Sequence, residues 1–174
     1  DSARDHQRTT NAQQAFTVLA ENIDDVTGRG APSRATEIGL ADASLSIGET
    51  ETINVTIGEV TPENTTVVET EPIVYDSGSG TKITYSNGAL VRQDGDHSVM
   101  FRQPAFLLTE DLVSLPIVAT STNGEGPVGG TSAVGVETRS AGREVIATND
   151  SASNVTVTLN VTSPRVESWE RYLD

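Results

Sequence analysis

The sequence predicts a mainly β protein in which an N-terminal α-helix precedes an antiparallel β-sandwich or partly open barrel, followed by a short C-terminal helix. Three features predict this class: helical spacing of apolar residues near both ends, short alternating runs between them, and turn-forming residues that separate the runs. A length of 174 residues suits one domain with an appendage. We therefore expect an amphipathic stalk helix over residues 1–30 and a β-rich globular head over residues 31–174.

The predicted N-terminal helix covers the first 28 residues. Its apolar side chains recur at steps of three and four, which places on one helical face Ala12, Ala15, Phe16, Leu19, Ile23 and Val26. Gly28 and Gly30, with Pro32 just beyond, predict where the helix ends. The first ten residues are polar on all sides, so we expect that end to pack against nothing within this chain.

Short strands are predicted along most of the remaining chain. They lie at residues 35–40, 44–47, 50–57, 65–69, 73–75, 81–86, 89–93, 98–103, 115–120, 132–137, 144–147 and 154–162. In the third of these runs Ile53, Val55 and Ile57 alternate with polar residues, and the last run repeats the pattern. Such alternation indicates strands with one buried face and one solvent-exposed face.

The strongest hairpin signal is Asn87-Gly88, which lies between two of the predicted strands. A two-residue type I′ turn needs positive φ at both central positions, and Asn-Gly is the pair that adopts it most readily. These two residues therefore predict a tight antiparallel hairpin.

The last dozen residues predict a second, short helix. Ser163 is a suitable N-cap, and Pro164 is suited to the first helical position. Trp169, Tyr172 and Leu173 follow at helical steps on one face. Because an aromatic side chain gains much from burial, we expect Trp169 and Tyr172 to pack on the sandwich.

The charge balance indicates the environment and excludes some partners. The chain carries 25 acidic residues against 11 basic ones, a net charge of −14, and its only lysine is Lys82. Nucleic acids and anionic membrane surfaces need a basic face, so we expect neither as a partner. An acidic surface with arginine in place of the more strongly hydrated lysine is typical of a halophile. The alternative is an ordinary acidic extracellular protein.

The sequence is poor in residues for catalysis. It contains no cysteine, which excludes disulfides and thiol chemistry, and only two histidines, His6 and His97. Asp96, His97 and Ser98 are of the types found in a catalytic triad, but adjacent residues on a turn do not converge on one substrate atom. The glycine-rich stretch at 123–132 lacks the lysine of a phosphate-binding loop and is interpreted as a connection or an exposed contact loop. We therefore expect no enzyme and no cofactor.

A hard cation such as calcium has three weak candidate ligands in the sequence. Asp94 and Asp96 lie in one predicted turn and Asp76 in another, where backbone carbonyls could complete a site. The favoured interpretation is that these residues simply shape the turns.

Five Asn-x-Ser/Thr sequons make N-glycosylation a candidate modification. The acceptor residues are Asn54, Asn64, Asn149, Asn154 and Asn160. Asn54, Asn154 and Asn160 lie on the polar face of predicted strands, where a glycan would have room. The alternative is that Asn and Thr only line a wet strand face.

Three segments resemble a known group of proteins. After the front helix come GAPSRATEIGL at 30–40, ITYSNGALVRQDGDHSVMFRQPAF at 83–106 and SPRVESWERYL at 163–173. Together they resemble uncharacterised haloarchaeal type IV pilin-like surface proteins. The resemblance implies a precursor whose short signal and apolar helix precede Asp1, with the front helix as its continuation. It implies an architecture and a location, and no activity.

Our hypothesis is therefore a non-enzymatic structural or adhesive protein of a haloarchaeal cell surface, with a filament subunit as one form of this role and N-glycosylation as a candidate modification. It would self-associate, or join other surface subunits and the membrane, through the helix that precedes Asp1. The alternative is a membrane-anchored extracellular module that binds a ligand through loops at one end of the sandwich.

Overall fold

The computed structural model describes residues 2–124, 126–148 and 154–174. The two α-helices are α1 (Ser2–Gly28) and α2 (Val166–Leu173), and a 3₁₀ turn spans Pro62–Asn64. The strands are β1 (Ser33–Gly39), β2 (Ser44–Ile47), β3 (Glu51–Ile57), β4 (Thr65–Thr70), β5 (Ile73–Asp76), β6 (Thr81–Ser86), β7 (Ala89–Asp94), β8 (His97–Arg102), β9 (Leu107–Leu108), β10 (Val113–Ser114), β11 (Val128–Gly129), β12 (Ala133–Arg139) and β13 (Val157–Thr162).

All of the described strand pairs are antiparallel, and they form four sheets. The largest has six strands in the order β11-β2-β5-β6-β7-β8, and a second has three in the order β13-β3-β4. Two-stranded ribbons join β1 to β12 and β9 to β10. The sheets are not closed into a barrel, so the predicted mainly β class with two terminal helices is confirmed as a sandwich-like arrangement.

The main core lies between α1 and the strands that it crosses. Its fully buried large residues include Phe16, Leu19, Ile38, Leu40, Tyr75, Ile83, Tyr85 and Leu90. The Phe16 and Tyr75 rings meet edge to face, with centroids 6.4 Å apart. The helix is thus part of the head's hydrophobic core from Ala12 onward.

The expectation that the first ten residues of the helix pack against nothing is wrong at their C-terminal end. Thr9 is buried, and Arg8 Nη2 lies 3.3 Å from Asp42 Oδ2. The polar pattern did not reveal these contacts because a threonine methyl and a guanidinium can both be used in a tertiary contact.

The three-stranded sheet contacts the face of the six-stranded sheet that points away from α1. Side chains alternate along β6, so Tyr85 enters the main core while Ser86 lies on the opposite face. There the Ser86 hydroxyl donates a hydrogen bond to Glu51 of β3. This second contact makes the arrangement sandwich-like.

The Asn87-Gly88 hairpin forms as predicted. The φ angles are 51° at Asn87 and 82° at Gly88, the type I′ combination, and Ser86 faces Ala89 across the turn. The Asn87 side chain also accepts a hydrogen bond from the backbone N–H of Val118, at 2.8 Å. The turn therefore anchors a distant segment of the chain.

Two predicted strands, 115–120 and 144–147, are wrong. In the first, side chains take the place of a partner strand: Asn87 accepts from Val118 N–H, and Thr70 Oγ1 accepts from Thr120 N–H at 3.0 Å. Pro116 has no N–H to donate to a ladder. Residues 144–147 are exposed, and no strand in the described part of the chain pairs with them.

The C-terminal helix begins later than predicted, at Val166, so its N-cap is Arg165 and not Ser163, and Pro164 lies before the helix. Ser163 Oγ accepts a hydrogen bond from Arg165 N–H at 3.0 Å. Trp169 and Tyr172 pack with Phe106, and the ring centroids lie 6.1–6.4 Å apart. The expectation that these two aromatic residues pack on the sandwich is confirmed.

Candidate functional site

One face of the three-stranded sheet carries Thr and Asn side chains, which are exposed on β13 and half-buried or buried on β3. The register of β3 and β13 places Thr52 opposite Thr162, Asn54 opposite Asn160, and Thr56 opposite Thr158. We call these six residues the polar sheet face. Alternate residues of β3 point the other way, and among them Ile53 is 1 % exposed. The alternation predicted from the sequence thus gives one buried and one polar face.

Two sequon asparagines are direct neighbours on this face. Asn160 is exposed on β13, whereas Asn54 on the central strand is half-buried. The buried Oδ1 of Asn54 finds no hydrogen-bond partner among the described residues. Since an attached glycan needs an accessible side-chain amide, Asn160 is the better acceptor of the pair.

Two of the other sequon asparagines, Asn154 and Asn64, lie outside regular strands. Asn154 is exposed just before β13, not within it as the predicted strand 154–162 required. Asn64 ends the 3₁₀ turn and is also exposed, with its Nδ2 donating to the Glu59 carbonyl at 3.3 Å. Asn149 lies outside the described residues.

Two of the aspartates considered as metal ligands, Asp76 and Asp94, already bond to neighbouring protein groups. Asp76 Oδ1 accepts from Gly78 N–H at 2.9 Å, and Lys82 Nζ lies 3.3 Å from its Oδ2. Asp94 accepts from Thr81 Oγ1 at 2.7 Å and from Arg92 Nε at 2.7 Å.

The hydrogen bond from Arg92 is the main reason why the pKa of Asp94 lies below its usual value. Asp96 is exposed in the same turn. Among residues 2–124, 126–148 and 154–174, no three His, Asp or Glu side chains gather as a metal site would require.

The histidines do not join a triad-like arrangement within the described residues. His97 and Ser98 are adjacent on β8, so their side chains point to opposite faces; His97 is exposed and Ser98 is 4 % exposed. Ser98 Oγ accepts a hydrogen bond from Ser168 Oγ at 2.7 Å. His6 is exposed near the start of α1. The glycine-rich stretch at 123–132 contains β11, which pairs with β2.

A buried ion pair joins the C-terminal helix to the sandwich, and our sequence analysis did not identify it. Glu51 is 1 % exposed and Arg165 is 7 % exposed. Arg165 Nη2 and Ser86 Oγ donate to the carboxylate, and Ser163 Oγ donates at 2.8 Å. A signal was present, because Glu51 falls in the same alternating register as buried Ile53.

A cleft of about 390 Å³ opens between the end of α1, the Asn87-Gly88 turn and the segment around Val118. Arg102 lines it and pairs with Asp24, with Nη2 2.5 Å from Oδ2. Two buried donors, Asn87 Nδ2 and Arg102 Nη1, have no hydrogen-bond partner among the described residues. Both atoms belong to residues that line the cleft, although the atoms themselves are enclosed by protein.

The ribbon of β9 and β10 presents exposed apolar side chains. Between 40 % and 55 % of the surface of each is exposed for Leu107, Leu108, Leu112 and Val113. Neither helix has an apolar stretch long enough to cross a membrane, within the residues that the structure describes.

Comparison with known proteins gives one match. A model described as "Family of unknown function (DUF7289)" covers residues 1–174. No curated protein and no solved structure matches the chain.

Proposed function

The chain belongs to a family of unknown function, DUF7289, along its whole length, and from this premise we propose that it is a non-enzymatic extracellular structural or adhesive protein. We propose a pilin-like role on a haloarchaeal cell surface, with the β-rich head displayed outward. The chain would be anchored or polymerised through a helix that continues α1 in the N-terminal direction.

The observation that carries this proposal is the uneven burial of α1. Seven of its residues are buried between Thr9 and Val26, whereas Ser2, Ala3 and Arg4 in its first turn are exposed. A surface helix is normally stabilised by packing along its length. A helix held firmly at one end and exposed at the other is suited to join a head to something beyond it.

The surface chemistry supports an extracellular location in a medium of high ionic strength. The net charge of −14 is distributed over helix and strands, and the polar sheet face offers Asn160 for glycosylation. Carboxylates retain water when added salt screens charge repulsion, so an acidic surface preserves solubility at high ionic strength.

The cleft at Arg102 favours the second candidate, a membrane-anchored module that captures a ligand. Its lining combines the partly exposed Arg102 side chain with apolar residues such as Pro116 and Val118, which suits a small molecule that carries an oxygen acceptor. A monodisperse full-length membrane protein, absent from filaments, would favour this role over that of a filament subunit.

The test uses one substitution in the first turn of α1, in the full-length protein of its native host. Ala3→Pro is tolerated if the helix starts at Ser2, because proline suits a first helical turn. If the helix continues upstream, the same proline breaks it at a cost of about 3 kcal/mol. Ala3→Ser is the matched control, and immunogold electron microscopy of the cell surface is the readout.

We expect Ala3→Pro to abolish filaments or surface retention while Ala3→Ser preserves them, with equal head stability for both variants. Normal filaments with Ala3→Pro, or an unlabelled cell surface with the unaltered protein, would contradict the proposal. The salt requirement is tested separately by unfolding in increasing KCl. Greatest stability at low salt would contradict the halophilic environment.

A further inference from the structure

The free strand edges of this protein differ in how they are protected against pairing with another chain. An exposed edge presents unpaired N–H and C=O groups, and proteins usually block it with charges or cover it. The outer edge of β8 is covered by α2, because Glu167 accepts from Ser98 N–H at 3.2 Å and Arg171 donates to the Ser98 carbonyl at 2.8 Å. This contact also lowers the pKa of Glu167.

Charged side chains mark the other long free edges. Strand β1 carries Arg34 and Glu37, and its partner β12 carries Glu137 and Arg139. Strand β4, one edge of the three-stranded sheet, carries Glu69. Each of these edges therefore has a feature that disfavours pairing with a second chain.

Strand β13, the opposite edge of the three-stranded sheet, has neither protection. It pairs with β3 on one side, and no strand in the described ranges pairs with its other side. Residues 151–164 carry no charge at all, in a chain whose net charge is −14. The strand also lacks proline, so each of its residues keeps its backbone donor.

The hydrogen-bond pattern identifies which backbone groups are free. Gly58 N–H donates to the Thr156 carbonyl at 2.7 Å, so Thr156 is bonded toward β3. Bonding alternates along an antiparallel pair, which turns the N–H and C=O groups of Val157, Leu159 and Val161 to the open side. These three alternate residues can therefore form backbone hydrogen bonds with another strand.

We propose that this edge pairs antiparallel with β13 of a second copy, so that two three-stranded sheets become one of six strands. A two-fold axis through Leu159 places Val157 opposite Val161 of the second copy and forms six backbone hydrogen bonds. The same register sets Thr158 directly opposite Asn160 of the second copy, on the polar face. No two like charges on the paired strands face each other across this axis.

A second copy is the favoured occupant because the edge is self-complementary and uncharged. The overall repulsion between two acidic chains remains, but pairing along β13 adds no like-charge contact to it, because residues 151–164 carry no charge. The inference goes beyond the proposed function, because a β13 dimer does not require an N-terminal helix. A monomeric result would leave the filament proposal standing.

The test compares two double variants whose charges report on the register. Thr158→Lys with Asn160→Lys places like charges opposite one another twice across the axis, whereas Thr158→Lys with Asn160→Asp places opposite charges there. Both side chains are exposed, so the fold should persist in each variant. Val67→Lys, on the opposite edge strand β4, is the matched control because Val67 is 57 % exposed.

Sedimentation velocity over a concentration series measures association, with protein made in a host that adds no N-glycans and circular dichroism as the folding check. We expect the unaltered protein, the lysine–aspartate variant and Val67→Lys to dimerise. The double-lysine variant should associate at least about tenfold more weakly, even though its net charge is closer to zero. A monomer at every concentration, or a double-lysine variant that dimerises normally, would overturn the proposal.

Discussion

Removing the charge of Glu51 should release the C-terminal helix and destabilise the whole head. Glu51 and Arg165 are almost completely shielded from water, at 1 % and 7 % exposure, and each is the other's counter-charge. Ser86 and Ser163 donate to different oxygens of the carboxylate, so the one oxygen of Glu51→Gln can accept from either serine but not from both. The substitution also leaves the Arg165 guanidinium buried without an anion. The isosteric shape makes this a test of charge and not of packing.

The expected magnitude follows from the burial of both partners. Breaking a buried pair by removing one member costs about 3–5 kcal/mol, because the remaining charge is left desolvated and uncompensated. We expect that loss from Glu51→Gln and a similar loss from Arg165→Met. The double variant should cost no more than either single variant, since it leaves no isolated charge. The coupling free energy is then at least about 3 kcal/mol, which lies at or above the upper end for contacting residues.

Urea unfolding followed by two probes is the assay. Far-ultraviolet circular dichroism reports the whole fold, and fluorescence of Trp169, the only tryptophan, reports α2. Glu63→Gln makes the same charge change on an exposed side chain and should alter stability by no more than about 0.5 kcal/mol. Additive single effects, or a loss below about 1 kcal/mol for Glu51→Gln, would refute the reasoning.

Two further predictions concern pH and the hairpin turn. The pKa values of Asp94 and Glu167 lie below their ordinary 3.8 and 4.5, so the unfolded state takes up more protons as the medium is acidified. The stability that these two carboxylates contribute is complete above their ordinary pKa values and is lost as pH falls through their pKa values in the folded state. Thermal melts at stepped pH should therefore show a melting temperature that declines in the acid range. A melting temperature that rises there would contradict the prediction. Asn87→Ala should cost about 1–3 kcal/mol, since alanine resists φ of 51° and the Val118 N–H loses its acceptor. Asn87→Gly keeps the turn and should lose only the hydrogen bond, so equal losses measured by urea unfolding would contradict the strain argument.

Much of the fold could be predicted because its signals are local. The helical spacing from Ala12 to Val26 predicted which face of α1 is buried, and Asn87-Gly88 predicted the turn type. The strand predicted at 115–120 was wrong because the structure of this segment depends on distant residues. Its composition suits a strand, but distant side chains such as Thr70 take its backbone N–H groups, and no local pattern records that.

The candidate sites divide in the same way. Sequons and turn aspartates are visible in the sequence, and the strand alternation placed Asn54 and Asn160 on the polar faces of their own strands. Their direct opposition could not be predicted, because it depends on the register between segments about 100 residues apart. The Glu51–Arg165 pair and the free edge of β13 were missed for the same reason.

The sequence by itself determined the position of the long helix and of most strands, which face of that helix is buried, and the net acidity of the chain. These properties depend on neighbouring residues and on composition. The tertiary structure alone decided that Ser33 pairs opposite Arg139, that a glutamate is buried with an arginine partner, and which strand edge stays open. A strand's hydrogen-bonding groups are the same at every residue, so the partner is chosen only when distant surfaces compete to be buried against one another.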